Sequence, residues 1–173
     1  MTLRLIIVRH AKSSWKDPTL HDHARPLNGR GRRSATAIGQ WLADRGHVPM
    51  RTLSSDSART RETWARIAAR LPEPPRAEWL SELYHAAPEA LLDVLRGAGT
   101  ASPLLLLGHN PGLAEAARRL VAVAPGHRQF ERYPTAATTV CDVDVEDWAR
   151  ATWGGARVRD FVVPRELGVS RAP

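Results

Sequence analysis

Short apolar runs alternate along this chain with segments of helical periodicity, and that alternation limits what it can fold into. Residues 104–107 are four consecutive leucines, and residues 5–8 read Leu-Ile-Ile-Val. Runs this short and this uniformly apolar suit strands buried on both faces, as in a parallel sheet covered by helices. Residues 3–8, 50–53, 77–80, 104–107, 138–145 and 158–163 read as strands, with 138–145 half-buried because its apolar residues alternate. Asn28 is placed to cap a helix reaching Arg45, with Ala35, Ile38, Trp41 and Leu42 on one face. Ser55 or Asp56 is placed to cap a second reaching Leu71, with Trp64 and Ile67 inward. Pro88 suits the first turn of a third, and Asn110-Pro111 opens a fourth with Leu113, Ala117 and Leu120 inward. The expected fold is α/β with a mostly parallel central sheet. It is expected as one domain over residues 1–165, with a weakly structured tail at 166–173.

Composition narrows the function. The chain has 173 residues, 43% of them hydrophobic and 25% charged, enough for one domain with a real core. No apolar run approaches the roughly 18 residues of a membrane span. The first residues lack the basic-then-apolar pattern of a signal peptide, so a cytoplasmic location without a membrane partner is expected. Cys141 is the single cysteine, which excludes a disulfide framework and a multi-cysteine zinc site. Its place in a strand marks it as core. The formal net charge is +7, but of the 25 Lys and Arg residues only Lys12 and Lys16 are lysines. The arginines are scattered from Arg4 to Arg171 with no basic block, so nucleic acid is not an expected partner.

Two of the buried runs end alike: the first in Val8-Arg9-His10, the other in Leu107-Gly108-His109-Asn110. Ligand sites in open α/β sheets form at the carboxyl ends of strands, so the two histidines are expected to face one another there. A third piece follows residues 50–53, where Arg59 falls in the first turn of a helix. A cation is disfavoured at that positive helix end unless an anion sits between them. Arg61 and Arg66 read as ordinary exposed arginines.

These residues carry a family pattern. Arg9-His10-Ala11, Ser57-Ala58-Arg59-Thr60 and Gly108-His109-Asn110 occur in the order found in the histidine phosphatase superfamily, the group with phosphoglycerate mutases and acid phosphatases, which the chain resembles. Arg25-Pro26-Leu27, Glu82-Leu83-Tyr84 and the short length look most like its SixA-type members. The resemblance implies a three-layer, phosphoglycerate mutase-like sandwich without a large helical lid insertion. Two departures stand out. Ala11 replaces a glycine, which requires a negative φ or mild strain there. Lys16 stands where mutase-like members carry a polar amide.

The resemblance further implies a metal-independent phosphatase without cofactor. It would hydrolyse phosphohistidine in a phosphorylated protein, or small phosphomonoesters, through a phosphohistidine intermediate. His10 would be the nucleophile. Arg9, Arg59 and His109 would bind the phosphoryl group, suiting a reaction that is mostly positioning and charge stabilisation. Glu82 would be the general acid, with His85 or Asp22 as alternatives. Arg25 and Ser13 would add phosphate or substrate contacts, and Asn110 would cap the helix facing the anion. A mutase is disfavoured because it must shield its intermediate from water under a lid. A non-catalytic phosphate-binding module would carry the same residues poorly placed.

Overall fold

The computed structural model describes residues Met1–Pro173. Six strands form one sheet: β1 (Leu3–Arg9), β2 (Arg51–Ser55), β3 (Ala77–Leu80), β4 (Leu104–Gly108), β5 (Thr138–Val143) and β6 (Ala156–Val162). Their order is β3-β2-β4-β1-β5-β6. The first four are mutually parallel; β5 runs antiparallel to β1, and β6 antiparallel to β5.

The apolar runs divide their side chains between two layers. In β4, Leu104 and Leu106 enter one core cluster while Leu105 and Leu107 enter the other. In β1, Leu5 and Ile7 face the first layer, Ile6 and Val8 the second. A strand with such alternation and no polar face has to be covered on both sides. Helices α1 (Gly29–Asp44) and α2 (Ala58–Ala68) supply Ile38, Leu42, Trp64 and Ile67 to one layer. Helices α3 (Pro88–Arg96) and α4 (Gly112–Leu120) supply Leu91, Leu95, Leu113 and Leu120 to the other. The result is a three-layer α/β sandwich, and no helix is long and apolar enough to cross a membrane.

Most boundaries match the sequence pattern, and the differences have local causes. Asn28 caps α1, its side chain accepting from the Gly31 N–H at 2.8 Å. The cap of α2 is Ser57 and not Ser55 or Asp56, because the strand continues through Ser55. Strand β5 is buried along its whole length rather than half-buried, since it lies between β1 and β6. Beyond β6, a 3-10 turn at Pro164–Leu167 lays Leu167 against the α1 side of the core.

Candidate active site

Adjacent parallel strands put three chain ends at one sheet edge. β4 lies between β1 and β2, so Arg9-His10, Gly108-His109 and Ser55 emerge side by side. The His10 and His109 ring centroids are 5.1 Å apart, with the planes tilted by 51°. Both are buried, at 7% and 2% exposure. The backbone of His10 is fixed from two sides: its N–H donates to the Gly108 carbonyl at 3.1 Å and its carbonyl accepts from Ala136 at 3.0 Å. Ala11 is fully buried with φ outside the left-handed region, so its methyl is accommodated without that strain.

The ring of His10 has a fixed tautomer. Nδ1 lies 2.7 Å from the Ala11 carbonyl, which can only accept, so Nδ1 carries the proton and Nε2 keeps its lone pair. Burial, reinforced by the charges of Arg9 and Arg59, pushes the pKa of His10 down to about 3 despite that hydrogen bond. Burial, then the neighbouring His10 and Arg59, pushes His109 down to about 2. Both rings are therefore neutral near pH 7. His109 Nε2 is 2.7 Å from the Ser55 hydroxyl, and its buried Nδ1 has no protein partner.

Two arginines flank the pair. Arg9 donates to the Tyr133 carbonyl at 3.1 Å, its Nε is buried without a partner, and burial followed by the Arg59 charge lowers its pKa. Arg59, 4% exposed, is the second residue of α2. Thr63 ties its helix to the first histidine: the Thr63 hydroxyl accepts from the Ala11 N–H at 3.0 Å and donates to the Arg59 carbonyl at 2.7 Å.

A carboxylate of the chain itself lies beside Arg59. Arg59 donates to the Asp22 carbonyl at 2.7 Å and to Asp22 Oδ2 at 2.9 Å. Tyr84 and His85 also donate to Oδ2, the latter at 3.0 Å. Desolvation raises the pKa of Asp22, but the bonds from Tyr84, His85 and Arg59 outweigh it and hold the carboxyl well below its ordinary range. The loop carrying Asp22 thus reaches over Arg59.

Four residues expected at the site make other contacts in the structure. Glu82 is exposed in a groove whose lining includes Arg51, Glu78 and Asp93 but neither His10 nor His109. It sits in a 3-10 turn that buries Leu83, and at three residues per turn burying Leu83 turns Glu82 outward. Arg25 donates to the carbonyls of Asp17 and Leu20, both at 3.1 Å, and stacks over Trp15, so it pins the loop. Asn110 does not cap α4, which begins at Gly112. Its amide donates to the carbonyls of Arg132 and Tyr133, closing the wall behind Arg9. Ser13 pairs its backbone with Leu27 and serves the turn of the loop. Cys141 is buried in β5 and its thiol is pushed up to about 12 by desolvation, which leaves it inert.

Ser55, Thr63 and Tyr84 join the site, although the sequence offered Ser55 only as a helix cap and Tyr84 only as part of a family stretch. Ser55 ends a strand at the same edge as His10 and His109, and the rule that singled out the histidines applies to it equally.

The comparisons agree with this geometry. The sequence profile of the histidine phosphatase superfamily (branch 1) matches residues 5–91. An uncharacterized protein of Mycobacterium tuberculosis (strain ATCC 25618 / H37Rv) is 34% identical over 166 residues, 91% of this chain and 100% of that one. An uncharacterized chloroplastic protein of Arabidopsis thaliana is 37% identical over 127 residues, and the match takes in 68% of this chain but only 58% of that protein. A solved structure from Agrobacterium tumefaciens, assigned as the phosphohistidine phosphatase SixA, superposes with a TM-score of 0.77 at 27% identity, covering 94% of this chain and 98% of that one. The chain belongs to the histidine phosphatase superfamily, branch 1. Within that class it is a phosphatase of SixA-like fold.

Proposed function

We propose that this phosphatase hydrolyses phosphohistidine in a protein, or small phosphomonoesters, without a metal and through a phosphoenzyme on His10. The observation that carries the reading is the Nδ1 hydrogen bond to Ala11, which leaves the Nε2 lone pair of a neutral imidazole free for attack. In the first step Nε2 bonds to phosphorus as the bond to the leaving group breaks. Water then takes the phosphoryl group and His10 returns to its starting form. The metaphosphate-like charge is met by fixed cations and donors: Arg9, Arg59 and His109. Arg9 Nε is a buried donor without a protein partner, and His109 Nδ1 is likewise unpartnered, which supports this reading. If the Ser55 hydroxyl donates to His109 Nε2, the proton of the neutral ring resides on Nδ1, where a phosphoryl oxygen accepts it.

The site favours leaving groups that need no proton. Glu82 faces elsewhere, and Asp22 is held ionised, so neither is a ready acid. An imidazole or a phenolate leaves without strong acid help, whereas an alkoxide does not. The SixA assignments of the structural relatives at 27% and 28% identity point to phosphohistidine in the same direction.

The test is to trap the enzyme during turnover of radiolabelled substrate. Phosphate bound to the wild type is expected to survive base and be lost in acid, as a phosphoramidate is. His10→Ala should neither label nor turn over, and EDTA should leave the wild-type rate unchanged. Label on a serine, or full activity of His10→Ala, refutes the mechanism.

A further inference from the structure

Asp22 holds a carboxylate beside a centre otherwise built to attract anions, and it uses only one of its two oxygens. Oδ2 accepts from Arg59, Tyr84 and His85. Oδ1 accepts from nothing in the protein, and the side chain is 43% exposed. A phosphoryl oxygen is not a partner for it, because two anions repel. What an ionised carboxylate accepts next to a bound phosphoryl group is a hydrogen-bond donor on the leaving group.

The surroundings narrow that donor. The ring of Tyr84 stands 4.8 Å from His23 and 4.2 Å from His85, centroid to centroid. Tyr84 and His85 are in turn 5.3 and 5.1 Å from the ring of His109. The phosphoryl centre therefore opens onto a rim of flat rings with one free carboxylate oxygen in it. Such a rim suits a planar leaving group bearing an N–H, since rings pack against rings at these distances. We infer that Asp22 is a specificity-determining residue whose free Oδ1 accepts the ring N–H of a phosphorylated imidazole, selecting phosphohistidine over phosphomonoesters. The inference rests on the function proposed above and adds which residue reads the substrate.

The chemistry balances without a proton transfer. In the protonated phosphoimidazole, one ring nitrogen carries phosphorus and the other carries hydrogen. As the bond from His10 Nε2 to phosphorus forms, the P–N bond breaks and its electron pair returns to the leaving ring. The product is neutral imidazole, which keeps the N–H that Oδ1 held throughout. Asp22 thereby favours the protonated form of the substrate, the form with the better leaving group. An aryl or alkyl phosphate offers no N–H at that place, and the carboxylate then only repels it.

Asp22 also holds Arg59, so the experiment must separate the two roles. Asp22→Asn removes the charge and little else. The measurement is kcat/KM of wild type and variant for a phosphohistidine peptide and for p-nitrophenyl phosphate at the same pH. The ratio of the two constants is expected to fall about 10-fold or more in the variant, the scale of a lost charge-assisted hydrogen bond. Tyr84→Phe, which keeps the carboxylate and the ring, should preserve the ratio within about threefold, a difference smaller than one such bond. An unchanged ratio in Asp22→Asn, with both constants falling together, overturns the inference and leaves Asp22 as a positioning residue for Arg59. A ratio that rises overturns it as well. A wild type inactive on both substrates refutes the proposed function itself, and the inference falls with it.

Discussion

Arg59 and Arg61 lie two positions apart on one helix, yet their surroundings differ completely. Arg59 is buried at the histidine pair, whereas Arg61 is exposed, donates to the Asp56 carbonyl at 2.9 Å and covers the ring of Trp79. Removing one preorganised donor to developing charge costs about 10²–10³ in rate in comparable sites. Arg59→Ala is therefore expected to lower kcat/KM by that factor, and Arg61→Ala to change it little. Glu82→Gln belongs with Arg61 and should leave aryl phosphate turnover near wild type. Steady-state kinetics on p-nitrophenyl phosphate compares all three, and similar losses at 59 and 61 would contradict the site described. The sequence made the four central residues visible because each stands directly after a strand or at the start of a helix. It offered Asp22 only as an alternative acid and not as the partner of Arg59, because that bond spans 37 positions of chain. Glu82 misled for the opposite reason. It stands two residues after the end of β3, but the turn that buries Leu83 aims it outward.

The site is an assembly of element ends, and its precision depends on how those ends are fastened. Thr63 is the clearest fastening: one hydroxyl joins α2 to Ala11, the residue after His10. Thr63→Val keeps the shape, loses the hydroxyl and leaves the buried Ala11 N–H without an acceptor. An unsatisfied buried donor costs about 1–3 kcal/mol. A lower melting temperature is expected, together with a fall in kcat and not only a rise in KM, because His10 and Arg59 lose a common reference. Thermal denaturation with initial-rate kinetics checks this, and stability loss with intact kcat would restrict Thr63 to a packing role. Elements of this kind were legible as periodicity: β4 and α3 are where the pattern put them, since four leucines and a proline at a helix start leave few alternatives. Their fastenings were not, because α4 starts only after Pro111 and Asn110 is drawn to carbonyls 22 and 23 positions ahead.

Keeping two imidazoles neutral inside the protein makes the whole fold sensitive to acid. Burial lowers His10 from 6.5 to about 3 and His109 from 6.5 to about 2. Below pH 6.5 the unfolded chain takes up protons at these positions and the folded chain does not. The unfolded state then binds more protons, so stability rises with pH and is lost as pH falls from 6.5 toward 3. Asp22 works in a lower window: its depressed pKa stabilises the fold above the ordinary carboxylate range, and that contribution fades only below about pH 4. Between pH 6.5 and 5 the histidines therefore dominate among these groups, at about 1 kcal/mol per pH unit each. For a chain of this size a fall in melting temperature on the order of 5–10 °C is expected across that interval. His109→Gln removes one of the two buried imidazoles and should lessen the fall by about half, so the difference between the two proteins isolates the site from other titrations. Bound phosphate or orthovanadate places an anion against both rings, raises their affinity for protons and should flatten the dependence further. Melting curves at pH 7, 6 and 5 for both proteins, with and without phosphate, measure each effect. Equal slopes for wild type and His109→Gln would mean that the acid sensitivity arises outside the histidine pair.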